Sequence, residues 1–415
     1  MKLNYGKTFL LGLGFFGVSV IWSVYNAFVP VFLADRFLMA AGFIGFFMTL
    51  DNIAALLIQP AVGSWSDRIR TRFGRRMPFI LAGAPLAAIS FILLPGAHSL
   101  WLFFLAATCL LLSMAIWRTP VVALMPDITP SKYRSQANGI INFMGGLGAI
   151  IAFLGGATLY EKNPTYPFLL GAVLVGVSAL LVLIFIKEPK EFEKSSEDTP
   201  TMVESVKFIL KDEDKSALRM LLAIFFWFVA YNGIEAFFTL FAKNHLGLPE
   251  SDGARLLGQL SLLFVLFSLP SGYIGAAIGR RKTIMVGIIM MALCVATMFI
   301  LPPDTLTVLL TSLPVLGDIP VVGVILMVAG ISWALININS LPMVVDMTDA
   351  SRIGTYTGLY YMFSTLAAIT GPIVYGLIIQ AGGNAFNLVM LVSPLFLILA
   401  FFSISGVKRG ESASE

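Results

Sequence analysis

The sequence predicts an all-α membrane protein with twelve transmembrane helices arranged as two six-helix halves. Two observations carry this prediction. First, only 12% of the 415 residues are charged and 58% are hydrophobic, whereas about a quarter of the residues in a soluble domain are charged. Second, apolar runs of about 20 residues, long enough to cross a hydrocarbon layer of ~30 Å, recur along the chain. The composition excludes an ordinary globular enzyme.

Twelve apolar runs qualify as membrane spans, and they are predicted at 9–34, 40–64, 77–95, 100–126, 139–160, 166–187, 219–243, 255–278, 283–302, 319–345, 353–380 and 384–406. The apolar stretch 304–316 is too short to span and contains Pro314, so a loop is predicted there. The amino end shows no short apolar core followed by a cleavage site, so we expect no cleaved signal peptide. Cys109 and Cys294 fall inside spans, which predicts neither a disulfide framework nor a metal site.

The distribution of basic residues indicates the orientation. Most of the 27 Lys and Arg residues fall in loops that lie inside if the amino terminus is inside. An excess of Lys and Arg marks the cytoplasmic side of a membrane protein. We therefore expect a multi-pass protein of the cell membrane with both termini cytoplasmic. Five of these residues cluster after span two: Arg68, Arg70, Arg72, Arg75 and Arg76.

A long polar stretch separates six spans from six. It predicts an N-terminal six-helix bundle over 1–187, a cytoplasmic linker over 188–218 and a C-terminal six-helix bundle over 219–415, with a short surface helix at about 200–215. Similar short motifs occur at equivalent positions in the two halves: WSVYN and WFVAYN, FGRRMP and IGRRKT, and DITPSKYR and DMTDASR. Two such halves, related by an axis along the membrane normal, resemble the major facilitator superfamily.

The loop after span two resembles the short facilitator motif G-x-x-x-D-R-x-G-R-R with an insertion, at Gly63, Asp67, Arg68, Gly74, Arg75 and Arg76. Asp67 can accept hydrogen bonds from a helix amino end and pair with an arginine. Such a network would lock one conformation at the cytoplasmic face. We expect further gate residues at other span ends, namely Asp127, Arg134, Arg280, Asp346 and Arg352. The alternative is that the arginines only anchor the topology.

The longer string LIQPAVGSWSDRIRTRFGRRMPFILAG, with PVVALMPDITPSKYRSQANG, resembles the sucrose transporter family of plants and its animal and bacterial relatives, mainly over residues 50–140. The resemblance implies proton-coupled symport of sucrose or a related glycoside. Plant members carry an arginine at Val122, whereas this chain has Arg118 one helical turn earlier. A more distant resemblance is to glycoside–pentoside–hexuronide symporters, whose two sodium-binding carboxylates match Ala55 and Gln59. Since this pair supplies no carboxylate, sodium is disfavoured as the coupling ion.

Three ionisable residues fall near the middle of spans: Asp51, Arg118 and Glu235. Each costs about 2.5–3.5 kcal/mol at a helix centre on insertion scales, so such groups normally face a partner or a water-filled cavity. We expect Asp51 to carry the coupled proton, with Arg118 as its partner or as a ligand of sugar hydroxyls. Glu235 is a second candidate for the proton or for the sugar. The alternative is a structural ion pair, which would leave a uniporter.

A sugar also needs amide ligands and an aromatic platform, because amides offer both donors and acceptors to hydroxyl groups. The predicted substrate contacts lie in spans one, four, seven and ten, at Trp22, Tyr25, Asn26, Arg118, Tyr231, Asn232, Glu235, Trp333, Asn337 and Asn339. Asn142 and Gln380 are further candidates. For Asn26 and Asn232 the alternative is a helix–helix hydrogen bond, and for each tryptophan it is a lipid or packing contact.

Together these features predict a monomeric proton-coupled symporter of a disaccharide or related glycoside, of sucrose or maltose type, that works by alternating access and needs no cofactor or metal. The first alternative is a sodium-coupled or uncoupled transporter of another glycoside or of a lipid-like amphipathic solute. A sensor or scaffold would require a soluble domain or a longer tail than VKRGESASE. Nothing in the sequence indicates an enzyme or a nucleic-acid-binding protein.

Overall fold

The computed structural model describes residues 4–129, 134–188, 213–348 and 352–411. Within these ranges, twelve helices are long and apolar enough to cross a membrane. Each of them overlaps one predicted span closely. The predicted all-α membrane fold is therefore confirmed, while the predicted surface helix at about 200–215 lies almost wholly outside the described ranges.

The helices in chain order are α1 (Tyr5–Val31), α2 (Ala41–Phe47), α3 (Leu50–Arg68), α4 (Met77–Gly96), α5 (Leu100–Ile128), α6 (Arg134–Ile150), α7 (Gly156–Lys162), α8 (Tyr166–Phe185), α9 (Ser216–Asn244), α10 (Glu250–Ile278), α11 (Arg280–Ile300), α12 (Pro303–Leu306), α13 (Val321–Val345), α14 (Ile353–Ala381) and α15 (Leu388–Ser405). A π-helical turn at Phe32–Arg36 extends α1, and another at Ile151–Gly155 joins α6 to α7. Span two thus consists of α2 and α3.

The chain divides into two compact units. Unit 1 comprises the described residues of Met1–Leu38, Leu50–Lys194 and Glu250–Gly258, and unit 2 those of Met39–Thr49, Ser195–Pro249 and Gln259–Glu415. In unit 1, α1 packs on α6 and α8, and α4 packs on α5 and α8. In unit 2, α9 packs on α14 and α15, and α11 packs on α13 and α15. The internal repeat therefore extends from sequence motifs to helix packing. The exact domain boundaries stay a prediction.

Aromatic side chains fill much of each core. In unit 1, the ring of Phe168 lies 4.9 Å from that of Phe91 and 5.5 Å from that of Phe32. In unit 2, the rings of Phe238 and Phe241 are 5.9 Å apart and both side chains are fully buried. Each such ring buries a large area and adds a directional contact. Phenylalanine rings thus pack the interior of both units.

The segment between α11 and α13 is a β-hairpin, which corrects the loop predicted at 304–316. After the single turn of α12, strand β1 (Leu309–Leu313) pairs antiparallel with β2 (Gly317–Pro320). Gln259 of α10 holds the hairpin, because its Nε2 donates to the carbonyl oxygens of Leu316 at 3.2 Å and Asp318 at 2.9 Å. The short length of this apolar stretch and its Pro314 exclude a membrane span there, but they do not exclude the pairing of two β-strands.

A very close helix contact in unit 2 yields a first prediction. A Cβ on Gly45 of α2 would lie 2.1 Å from the carbonyl oxygen of Pro372 in α14, whereas one on Gly354 of α14 would meet nothing within 4 Å. Alanine gains about 1 kcal/mol of helix propensity over glycine at either position. We expect Gly45→Ala to be less stable than Gly354→Ala by about 1–3 kcal/mol, the usual cost of overpacking.

The measurement is the apparent Tm of the purified variants in one detergent. Equal Tm values for the two variants would show that α2 can move away from α14 at no cost.

Candidate functional site

Span two is broken beside Asp51. Helix α2 ends at Phe47 and α3 begins at Leu50, so Asp51 occupies the first turn of α3. The unpaired N–H groups and the positive end of the helix dipole favour a carboxylate at this position. Asn52 Nδ2 donates to Asp51 Oδ1 at 2.8 Å. The helix break therefore provides a polar environment for an acidic group in the middle of a span.

Three other predicted site residues of unit 1 interact with Asp51 or with one another: Arg118, Tyr25 and Trp22. The charges of Asp51 and Arg118 interact, and the charge of Asp51 also acts on Tyr25. The ring of Trp22 meets that of Tyr25 edge-on at 5.6 Å. Although both atoms are buried, Trp22 Nε1 and the Tyr25 hydroxyl find no hydrogen-bond partner within the described residues. Buried polar atoms are usually hydrogen-bonded, so these two atoms lack the partner that buried groups of their kind normally have. Asn26 follows Tyr25 on α1 and is partly buried.

Unit 2 contributes an aromatic cluster. Tyr231 of α9 stacks on Trp333 of α13 with centroids 4.0 Å apart and planes at 8°. Phe228 meets Trp333 edge-on at 5.3 Å. Glu235 lies one helical turn beyond Tyr231, and its charge acts on that residue. Trp333 is buried, whereas Tyr231 is only partly buried, so the Tyr231 ring is the part of this cluster that suits a ligand with apolar and hydroxyl-bearing faces.

Asn339 is placed in a contact between α10 and α13. Its side chain is buried, and Nδ2 donates to the carbonyl oxygen of Ser271 at 3.2 Å, to Ser271 Oγ at 3.1 Å and to the Leu335 carbonyl at 3.0 Å. A Cβ on Gly275 would lie 1.8 Å from Asn339 Oδ1, so the amide is tightly enclosed. The structure therefore favours a helix-packing role for Asn339 over the predicted substrate contact.

The other predicted amide side chains differ in whether hydrogen bonds within the protein already occupy their donor and acceptor atoms. Asn232 Nδ2 donates to the Phe228 carbonyl of its own helix at 2.7 Å. Gln380 Oε1 accepts the backbone N–H of Gly42 at 3.2 Å, which fastens α14 to α2. Asn337 is partly buried on α13. Asn232 and Asn337 thus remain the amide candidates of unit 2.

The arginine loop does form an ion-pair network at the ends of α3, α4 and α5. Asp127 Oδ1 lies 2.6 Å from Arg75 Nη2, and Asp127 Oδ2 lies 3.1 Å from Arg76 Nε. Asp67 Oδ1 lies 2.5 Å from Arg76 Nη2 and 3.4 Å from Arg75 Nη1. The side chains of Arg75 and Arg76 are only 11% and 6% exposed, and Arg76 also donates to Ser66 Oγ. These residues tie three helix ends together.

The remaining predicted gate residues are placed as follows. Arg280 pairs with Asp346 in unit 2, which repeats the pairing of Arg75 with Asp127. Arg68 is exposed at the end of α3, and Arg352 is exposed at the start of α14. Arg134 begins α6, but its side chain is not among those described. Whether this network opens and closes stays a prediction.

Family comparison agrees with the twelve-helix architecture. The sequence model of the Major Facilitator Superfamily matches residues 11–372 and, in a second match, residues 256–414. The chain belongs to the Major Facilitator Superfamily. Solved facilitator-like folds agree: a point mutant of the nucleoside transporter NupG aligns at a TM-score of 0.75 and 17% identity, over 97% of this chain and 100% of that chain. At this identity the likeness shows the fold alone.

Curated relatives of this facilitator have diverse names. Tetracycline resistance protein, class B, from Escherichia coli is 25% identical over 366 residues, which cover 87% of this chain and 84% of that protein. Sucrose transport protein SUT3 from Oryza sativa subsp. indica is 27% identical over 175 residues, which cover 33% of this chain and 34% of that protein. The superfamily is therefore established, whereas the predicted membership in the sucrose transporter family is not specifically supported.

Sequence reasoning missed two glutamates of this facilitator that cap helices. Glu188, just after α8, accepts the backbone N–H groups of Arg75 at 2.8 Å, Arg76 at 2.8 Å and Met77 at 2.9 Å. Because it covers the amino end of α4, its charge also meets the positive end of the helix dipole. Gly74, with φ +117°, allows this approach, since a Cβ there would lie 2.5 Å from the Glu188 carboxyl carbon.

The second half repeats this cap. Glu411 accepts the backbone N–H groups of Arg280 at 2.7 Å and Arg281 at 3.1 Å, next to Gly279 with φ +95°. The signal was present in the sequence, because a glutamate follows the sixth span of each half, in IKEP and in VKRGE.

Arg409 in the same segment pairs with Asp214, 2.6 Å away. Hydrogen bonds from Ser216 lower the pKa of Asp214 and keep this carboxylate charged.

Proposed function

We propose that this facilitator carries a glycoside of disaccharide size, of sucrose or maltose type, together with a proton by alternating access. It does so as a monomer in the cell membrane, with both termini cytoplasmic. The observation that carries the proposal is Asp51 itself, a carboxylate that starts a helix at the break in span two and accepts a hydrogen bond from Asn52, in a unit where Trp22 Nε1 and the Tyr25 hydroxyl are buried without partners among the described residues. The family supports transport as the general activity.

The choice of a proton rests on the chemistry of that group. Carboxylic acids inside membrane spans are typical of proton relays in transporters. Sodium is disfavoured because Ala55 and Gln59 stand where the more distantly similar sodium-coupled symporters have two carboxylates. A membrane potential of 100 mV supplies about 2.3 kcal/mol per charge, enough for roughly 40-fold accumulation.

The choice of a glycoside rests on the polar and aromatic side chains of both units. Trp22 and Tyr25 in unit 1 leave polar atoms for hydroxyl groups, and the Tyr231–Trp333 stack in unit 2 offers an apolar face. Hydroxyl groups of sugars both donate and accept, which matches these side chains and the amides nearby. The similarity to a sucrose transport protein over a third of the chain supports this class.

A second candidate is transport of an amphipathic drug-like solute. It is favoured by the aromatic cluster of Phe228, Tyr231 and Trp333 and by a relative, named for tetracycline resistance, that matches over 87% of the chain. Such a solute would use apolar contact more than hydroxyl recognition, so the two candidates predict different substrates in one assay.

The test is uptake into proteoliposomes that contain the purified protein. Labelled sucrose and maltose are supplied outside, with and without an acid-outside pH gradient, and labelled tetracycline is tested in parallel. We expect accumulation of a sugar that depends on the gradient and disappears with a protonophore. Gradient-driven movement of tetracycline without sugar uptake would replace the proposal by the second candidate. Sugar equilibration that ignores the gradient would show a uniporter.

A further inference from the structure

The five arginines after span two fall into two sets. Arg75 and Arg76 are almost buried and face the carboxylates of Asp67 and Asp127. By contrast, the side chains of a second set are exposed to the surroundings: Arg68, Arg70 and Arg72. Arg68 and Arg72 form no ion pair with any described carboxylate. The ion-pair network with Asp67 and Asp127 accounts for Arg75 and Arg76, and it does not account for Arg68 and Arg72.

The exposed arginines lie among exposed aromatic side chains. Trp65 is 57% exposed and Phe73 is 56% exposed. Trp65 lies three residues before Arg68 on α3, which places the two side chains on neighbouring positions of the helix surface. The Arg72 guanidinium lies over the ring of Phe73, 4.6 Å from its centroid. The result is a surface that is both positively charged and aromatic.

Backbone hydrogen bonds fix the shape of this loop. Thr71 and Gly74 exchange N–H to carbonyl bonds of 3.3 and 3.1 Å, and Thr71 Oγ1 accepts the N–H of Phe73 at 3.2 Å. Arg70 folds back and donates to the carbonyl oxygens of Asp67 at 2.5 Å and Ile69 at 3.0 Å. Arg70 therefore supports the loop, while Arg72 and Phe73 project from a tight turn.

Within the part of the chain that the structure describes, this surface has excess positive charge. The described carboxylates that face the loop from packed elements are Asp67, Asp127 and Glu188. The first two pair with Arg75 and Arg76, and Glu188 is committed to backbone N–H groups of the α4 amino end. In unit 2 only Gly279 separates α10 from α11, so the corresponding segment has no such loop.

We propose that Trp65, Arg68, Arg72 and Phe73 form a docking surface for the head groups of anionic phospholipids in the surrounding membrane. Both ends of the loop continue directly into membrane-spanning helices, which keeps the surface at the level of the lipid head groups. Guanidinium groups bind phosphate through parallel hydrogen bonds, and tryptophan and phenylalanine rings bury well at a membrane interface. Basic clusters beside membrane spans attract anionic lipids electrostatically.

Trp65 supplies a reporter for the test. The full-length protein is reconstituted in phosphatidylcholine vesicles that contain phosphatidylglycerol, and either lipid carries bromine on its acyl chains to quench tryptophan fluorescence. The difference between the parent protein and Trp65→Phe isolates the signal of Trp65. We expect stronger quenching by brominated phosphatidylglycerol than by brominated phosphatidylcholine, and we expect high salt to weaken this preference.

The decisive variant is Arg68→Gln with Arg72→Gln. It should lower the phosphatidylglycerol preference at Trp65 by roughly fivefold per arginine removed. The matched control is Lys282→Gln with Lys408→Gln, which removes the same charge from exposed positions in unit 2 and should leave the preference unchanged. Equal quenching by the two lipids in the parent, a preference that survives in the arginine variant, or an equal loss in the control would each overturn the proposal.

Discussion

Replacing Asp127 with alanine is expected to lower the free energy of unfolding by about 3 kcal/mol, because breaking a buried ion pair leaves an uncompensated charge. Asp127 is only 12% exposed and contacts both Arg75 and Arg76. Without it, Asp67, which is 52% exposed, is the carboxylate among the described residues that still pairs with these two largely buried guanidinium groups. For a unit of this size the apparent Tm should fall by about 10 °C. The measurement is thermal unfolding in detergent.

The internal repeat provides the matched control for this variant. Asp346→Ala removes the equivalent carboxylate of unit 2, whose side chain is 40% exposed and whose partner Arg280 is 19% exposed. Exposed pairs contribute at most about 1 kcal/mol, so this variant should lose only a few degrees. Equal losses of Tm in the two variants would contradict the view that burial makes the first pair important.

The twelve spans could be predicted because span length is a local property of the sequence. A membrane fixes the minimum apolar length of each helix, and no knowledge of long-range contacts is needed to count such runs. The repeat was visible for a similar reason, since FGRR and IGRR stand at equivalent turns where Gly74 and Gly279 adopt positive φ. Asp127 could be assigned to a cytoplasmic span end from the sequence, but its partners Arg75 and Arg76 could be identified only from the structure.

The break in span two could not be predicted from the local pattern. The stretch from Phe47 to Asp51 contains neither glycine nor proline, the usual signals of a helix end. The sequence therefore predicted one continuous helix, with Asp51 inside it and Arg118 of span four as its expected partner. In the structure the same residue occupies a helix start, where free backbone N–H groups favour its carboxylate.

Long-range contacts account for the other differences. Glu188 lies 113 residues from Arg75, and it is a charged residue at the edge of a polar linker. Nothing local distinguishes it from a solvated glutamate. Asn339 and Asn337 look alike in sequence, but only Asn339 faces Ser271 of α10. The rotation of α13 about its own axis relative to α10 decides which of the two side chains faces the neighbouring helix. A single sequence does not determine that rotation.

Replacing Asp51 with asparagine is expected to abolish gradient-driven accumulation of the sugar while retaining exchange of internal for external sugar. Asparagine keeps the size of the aspartate side chain and one acceptor oxygen for Asn52 Nδ2, but it cannot take up or release a proton. The accumulation ratio should therefore fall from a ceiling of roughly 40-fold at 100 mV to about one. The measurement is counterflow and pH-driven uptake in the same proteoliposomes, each normalised to the amount of reconstituted protein.

Glu235→Gln distinguishes the two candidates for the proton-carrying residue, Asp51 and Glu235. It neutralises the carboxylate of unit 2 in the same way as Asp51→Asn neutralises that of unit 1. If Asp51 carries the proton and Glu235 binds the sugar, Glu235→Gln should weaken apparent sugar affinity but still accumulate sugar at saturating concentration. Accumulation that persists in Asp51→Asn and disappears in Glu235→Gln would transfer the proton to Glu235. In that case the helix break and Arg118 would serve to stabilise a permanently charged Asp51, and the interaction of Asp51 with Arg118 would be structural.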